Sequence, residues 1–165
     1  MKGLGYHPGP FCFIFNYPSR VKIASAAEMH DLGKRIGGQC RAGDLILLNG
    51  PLGAGKTVLV QGIGEALGIP DVTSPTFVIS RIHQAPLPLI HVDAYRLLEG
   101  GSAALYLDDL DLDSPRENAV TVIEWGGQES ARLSEERLEI LIDRTDEIRD
   151  VTITAIGPRW QGFAV

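Results

Sequence analysis

Three stretches of the chain are apolar almost without interruption, Leu45-Ile46-Leu47-Leu48, Leu87 to Val92 and Ala119 to Ile123, and each is bounded by turn-forming or charged residues. Short runs of this kind read as strands buried on both faces, the pattern of a parallel sheet. The first is framed by Gly43-Asp44 and Asn49, the second ends in Asp93, and the third in Glu124 and Trp125. Between them the period changes. Ser25-Ala26-Ala27-Glu28 fits a capping box, in which Ser25 and Glu28 satisfy each other's free backbone donors. Met29, Leu32 and Ile36 then fall on one helical face that Gly37-Gly38 closes. Val58 to Leu67 is helix-compatible and is stopped by Gly68 and Pro70.

Elsewhere the pattern predicts strands of other kinds. Val21-Lys22-Ile23 is a short one, and Val72 to Ile79 is a polar turn running into a β-rich segment in which Pro75 biases Ser74 away from helix. Near the end, Leu138, Ile140 and Ile142 alternate with other positions, as do Val151, Ile153 and Ala155, with Thr145-Asp146-Glu147 between them. That is the signature of an antiparallel hairpin added to the sheet. Trp160 and Phe163 follow as an exposed or docking tail. The expected fold class is α/β, a mainly parallel sheet flanked by helices with a C-terminal antiparallel hairpin.

Length adds that 165 residues, 44% of them hydrophobic, suit one domain with a real core, and no repeat divides them. We expect a domain over residues 21–165 and an extension over 1–20, either flexible, pairing at a sheet edge, or covering a partner surface. Phe11 to Phe15 is too short for a membrane span, and no small-residue cleavage site follows it, so neither a membrane anchor nor a signal peptide is expected. A net charge of −6 argues against a protein that holds nucleic acid by phosphate neutralisation alone. Cys12 and Cys40 form no metal or disulfide framework, which makes the reducing cytoplasm the expected compartment.

The stretch that carries chemistry is Gly50-Pro51-Leu52-Gly53-Ala54-Gly55-Lys56-Thr57, which matches G-x-x-x-x-G-K-[ST] between a predicted strand and a predicted helix. Gly50, Gly53 and Gly55 let backbone N–H groups converge on phosphate oxygens, and the helix beginning near Lys56 adds the positive end of its dipole. Lys56 supplies an ammonium for phosphates, and the Thr57 hydroxyl suits Mg²⁺. The fold expectation narrows to a P-loop NTPase.

Asp93 and Glu124 end apolar runs, where ligands bind in open α/β sheets, and spacing does not say which of them holds a metal. Either could instead be a helix cap or a surface charge. The Thr76 hydroxyl, at the mouth of a predicted strand, is a candidate switch contact or an ordinary turn hydroxyl. The acids Asp108, Asp109, Asp111 and Asp113 read as a solvated face, and His83 and His91 as structural. No N-K-x-D supports guanine recognition, and Arg96 is the one candidate arginine finger, so hydrolysis by the isolated chain is expected to be slow.

Together, Leu52 to Thr57, Thr73-Ser74-Pro75-Thr76-Phe77, His91-Val92-Asp93-Ala94-Tyr95-Arg96 and Ile123-Glu124-Trp125 resemble the TsaE family, formerly YjeE, from about Val21 to Trp160. The first motif is shared by many NTPases, and the other three in this order are more specific. The resemblance implies ATP binding and hydrolysis in support of tRNA threonylcarbamoyladenosine synthesis by TsaB and TsaD partners, with tRNA met only through them. It implies that Gly50, Gly53, Ala54, Gly55, Lys56 and Thr57 hold ATP, that Thr57 and Glu124 position Mg²⁺, that Asp93 and Glu124 support hydrolysis, and that Thr76 is a switch-like contact. Pro51 and Val58 depart from the family's usual acid and second threonine, which predicts altered loop detail with binding retained. The competing expectations are a small-molecule kinase on the same fold and a non-enzymatic nucleotide-sensing adaptor.

Overall fold

The structure, a computed structural model, describes residues 18–75, 79–95 and 113–165. Its strands are β1 (Ser19–Ile23), β2 (Leu45–Asn49), β3 (Ser80–His83), β4 (Leu89–Asp93), β5 (Val120–Glu124), β6 (Arg137–Asp143) and β7 (Arg149–Ile156). The helices are α1 (Ala26–Gly37), α2 (Lys56–Ala66), α3 (Asp113–Arg116) and α4 (Gly127–Ala131), with a 3₁₀ turn over Pro158–Trp160. One seven-stranded sheet has the order β1-β7-β6-β2-β5-β4-β3. Its middle pairs, β6 with β2, β2 with β5 and β5 with β4, are parallel. The outer pairs β6–β7, β7–β1 and β4–β3 are antiparallel. The α/β class and the C-terminal hairpin are as the pattern predicts.

The apolar runs became the central strands because both of their faces are covered. Ile46, Leu48, Leu89, Val120 and Val122 pack against Met29, Leu32, Ile36, Leu59 and Ile63 of α1 and α2. Leu45, Leu47, Ile90, Val92 and Ile123 face the opposite side, where Ala131 and Leu133 cover them in part.

The capping of α1 differs in detail from the expected box. The Ser25 hydroxyl accepts the Glu28 N–H at 3.2 Å, but the Glu28 carboxylate accepts from Ala24 N–H, at 2.7 Å, one residue before the cap. Nor does the helix end on a left-handed glycine, since Gly38 has φ −65°. The glycines of α1 serve close packing instead. A Cβ on Gly33 would lie 2.1 Å from the Leu59 carbonyl oxygen, and one on Gly62 would lie 2.1 Å from that of His30.

Two further features have local causes. Residues 76–78 of the β-rich segment expected after the Val72 turn lie outside the described residues, and β3 begins at Ser80, just after Ile79 at φ 67°. The tail is docked, not exposed. Trp160 is buried and meets Phe163 edge-on at 5.5 Å. Arg159 stacks on the Trp160 ring and donates to both carboxylate oxygens of buried Asp44, at 2.8 and 2.6 Å. This fork fastens the chain end beneath the start of β2.

The glycine contacts predict that Gly62→Ala forces the helices apart and costs about 1–3 kcal/mol, as overpacking does. Gly38→Ala, where an added Cβ comes no closer than 3.4 Å at ordinary φ, should be neutral or slightly stabilising. Urea unfolding of the two variants tests the contrast. In the same assay Arg159→Met, which strands the buried Asp44 carboxylate, should cost about 3–5 kcal/mol.

Candidate functional site

Between β2 and α2 the backbone turns from strand to helix through Gly53 at φ 74° and Gly55 at φ 106°. Glycine is the residue that adopts this left-handed region without a Cβ penalty. Within the turn the Ala54 N–H donates to the Pro51 carbonyl at 3.1 Å. Lys56 opens α2, and its ammonium folds back to donate to the carbonyls of Gly50, at 2.8 Å, and Pro51, at 3.0 Å. It also sits 3.9 Å from the centre of the Trp125 ring. Burial lowers the Lys56 pKa from its ordinary value, and the nearby Glu124 and Asp93 carboxylates oppose the shift.

The hairpin joining β6 to β7 reaches the same loop. Arg144 donates to the Gly53 carbonyl at 3.1 Å, and Arg149 Nε to that of Ala54 at 2.9 Å. Four loop carbonyls are thus held by cationic side chains. Because a peptide unit is planar, with N–H opposite C=O, the N–H groups of Leu52 and Gly55 are aimed away from those cations.

The two acids meet through sheet register. Asp93 of β4 stands opposite Glu124 of β5 at the carboxyl ends of these parallel strands. Asp93 Oδ1 accepts the Tyr95 N–H at 3.0 Å, and Glu124 Oε1 lies 2.7 Å from Nε2 of fully buried His91. The next residue, Trp125, has φ 61°, which is strained for a bulky side chain, and its ring leans on Tyr95 with centroids 5.1 Å apart.

These groups line one cavity of about 620 Å³, within the ~300–1,000 Å³ of small-ligand sites. Of the residues singled out in the sequence, Gly53, Gly55, Lys56, Thr57, Asp93 and Glu124 face it, together with Ser74 and Val58. Gly50 and Ala54 stand behind the lining, Ala54 fully buried. Thr76, Arg96 and the acids at 108, 109 and 111 lie outside the described residues. A hydroxyl and two carboxylates are hard oxygen donors, a set that fits a Mg²⁺ completing its shell with phosphate oxygens and water.

Sequence reasoning missed several residues that line the cavity or hold its lining. Arg149 and Arg144 flank a predicted turn, but their contacts with the loop span more than ninety residues. Met29, Ser25 and Ala26 of the α1 region also line the cavity. His91 was expected to be structural, yet it touches Glu124. That contact follows from the β4–β5 register, which the sequence does not state.

The sheet, the glycine turn and the strand-end acids define an α/β protein whose candidate site, a cavity, lies where a parallel strand enters a helix. Residues 23–151 match the family profile described as threonylcarbamoyl adenosine biosynthesis protein TsaE. The chain is 49% identical over 141 residues to a Streptomyces coelicolor protein named tRNA threonylcarbamoyladenosine biosynthesis protein TsaE, covering 80% of this chain and 93% of that one. A Bacillus subtilis protein of the same name is 37% identical over 144 residues, covering 85% and 87% of the two chains. The crystal structure of Bacillus subtilis YdiB superimposes with a TM-score of 0.71 at 28% identity, over 89% of this chain and 91% of the other. The chain belongs to the TsaE family.

The arginine contacts predict a loop stiffened from outside. Removing a hydrogen bond made by a charged group costs ~1.5–3 kcal/mol, so Arg149→Ala should speed amide exchange in residues 51–56 by roughly tenfold or more. Hydrogen exchange followed by mass spectrometry of the nucleotide-free protein measures this. Unchanged loop protection would mean that the arginines only decorate the loop.

Proposed function

We propose that this chain is an ATP-binding and ATP-hydrolysing subunit that supports tRNA threonylcarbamoyladenosine modification together with partners of the TsaB and TsaD type. The observation that carries the reading is the convergence of Lys56, Thr57, Asp93 and Glu124 on one cavity beneath a glycine turn. The names of the relatives supply the pathway, and the net charge of −6 suits a subunit that meets tRNA through another protein.

In this reading the N–H groups of the turn and the start of α2 bind the phosphates. An ammonium has three donors, and Lys56 uses two on carbonyls, so one remains for a phosphate oxygen. Thr57 and Glu124 would hold Mg²⁺, which when bound would supply positive charge to offset that of the phosphates. Asp93, fixed by the Tyr95 N–H, orients water beside the γ-phosphate. The segment containing Thr76 responds to that phosphate and changes the surface offered to the partners. Hydrolysis by the chain alone is slow, and the partners accelerate it.

ATP turnover with and without a TsaB–TsaD pair tests this. Lys56→Ala should weaken ATP binding by roughly 10–100-fold, through loss of a charge-assisted contact. Glu124→Ala should keep nucleotide binding and lose turnover by about 10²-fold or more, as removal of one preorganised electrostatic group does. Transfer of phosphate to a small acceptor would make the protein a kinase. Binding without hydrolysis even in the presence of partners, with Glu124→Ala functional, would make it a nucleotide-sensing adaptor.

A further inference from the structure

Among the described residues, His91 is a buried polar group beside the site that the mechanism above does not use. It is inaccessible to solvent on β4, with Nε2 2.7 Å from Glu124 Oε1, while its Nδ1 has no hydrogen-bond partner among the described residues. Strand geometry explains the approach. Side chains two apart share a face, so His91 and Asp93 lie on one face of β4. Register sets His91 opposite Val122 and Asp93 opposite Glu124, which brings Glu124 diagonally next to His91 across the β4–β5 pair. The other charged groups near the pair are Arg81, the register partner of His91 on β3, His83 on the same strand, and Lys56, which feels Glu124.

The orphaned Nδ1 decides where the ring carries its proton. A proton on Nδ1 would be a buried donor with nothing to donate to, and Nε2 would then meet a carboxylate oxygen lone pair to lone pair. A proton on Nε2 removes both faults, leaving on Nδ1 only an unmet acceptor. We propose that His91 is a positioning residue, whose Nε2–H donates to Glu124 Oε1 and fixes that carboxylate so that its second oxygen serves the cavity. The inference rests on the ATP-hydrolysing reading for its consequence, but not for its geometry. Without the imidazole, a carboxylate on two methylenes is free to turn toward the Lys56 ammonium, which the phosphates need. Ligating carboxylates depend on such outer partners, and loss of one typically lowers metal affinity or activity by about 10–100-fold.

Two measurements separate this from a packing role and from failure of the enzymatic reading. In protein carrying ¹⁵N-labelled imidazole, NMR should show His91 with its proton on Nε2 and a bare Nδ1, whether or not the chain hydrolyses anything. A protonated Nδ1 overturns the proposal. In the holo complex with Mg²⁺ and ATP, His91→Leu should lower turnover and Mg²⁺ affinity by the factor above, while binding of ATP in excess chelator stays near wild type. His91→Gln, whose amide N–H reaches the Nε2 position, should restore most of the loss, and the shorter His91→Asn should not. Equal loss in the Leu and Gln variants, or wild-type Mg²⁺-dependent turnover in His91→Leu, also overturns it. A wild-type chain with no ATP turnover would sink the enzymatic reading while the NMR result still decided the hydrogen bond.

Discussion

A buried ammonium with no anion in contact among the described residues is the constraint around which this molecule is arranged. Lys56 is 6% exposed, and the protein replaces the water it lost with two loop carbonyls and the face of an indole. Carbonyl dipoles and a ring quadrupole solvate a cation less well than water or a carboxylate, and the lowered pKa expresses that deficit. Each supporting element exists to hold those groups in place. Gly53 and Gly55 permit the turn, α2 fixes the Cα of Lys56, and the strained Trp125 backbone carries the ring over the ammonium. A phosphate entering the cavity would offer Lys56 a full negative charge where it now has partial ones.

The loop was legible in the sequence because its chemistry is local. Four fixed positions within eight residues, between an apolar run and a helical one, report both structure and ligand class. The parallel strands were legible for a similar reason, since burial on both faces leaves an unbroken apolar run. What could not be read was anything set by pairing between distant segments. That Asp93 sits beside Glu124 follows from β4–β5 register, and the contact of His91 with Glu124 follows from the same register. The grip of Arg144 and Arg149 on the loop depends on where the terminal hairpin lands, and period alone gives the hairpin but not its neighbour. Trp160 was ambiguous because an aromatic near a chain end gives no sign of whether a groove awaits it.

The glycines of α1 answer to two constraints. Gly37 and Gly38 end the helix as the sequence predicts, with a right-handed backbone at Gly38 in place of the left-handed cap common at that position. Gly33, Gly37 and Gly62 are small because α1 and α2 touch backbone to side-chain position, and no propensity rule applied to one helix at a time reports the surface of another.

That helix contact also shapes the site. Met29 lies near the start of α1 and lines the cavity, and a Cβ on Gly55 would come within 3.5 Å of it. Ser25, the residue that caps α1, lines the cavity as well. One wall is therefore the beginning of α1, and the floor is the beginning of α2. The distance between wall and floor is set within about two turns of the cavity, where Gly33 meets Leu59 and Gly62 meets His30. Larger residues there would separate the helices along their shared axis and widen the cavity at its mouth, because packed helices move as rigid bodies more readily than they bend. Packing at the glycines and binding at the loop are thus two ends of one mechanical unit. The sequence writes the second end in a motif and leaves the first as small residues on facing helices.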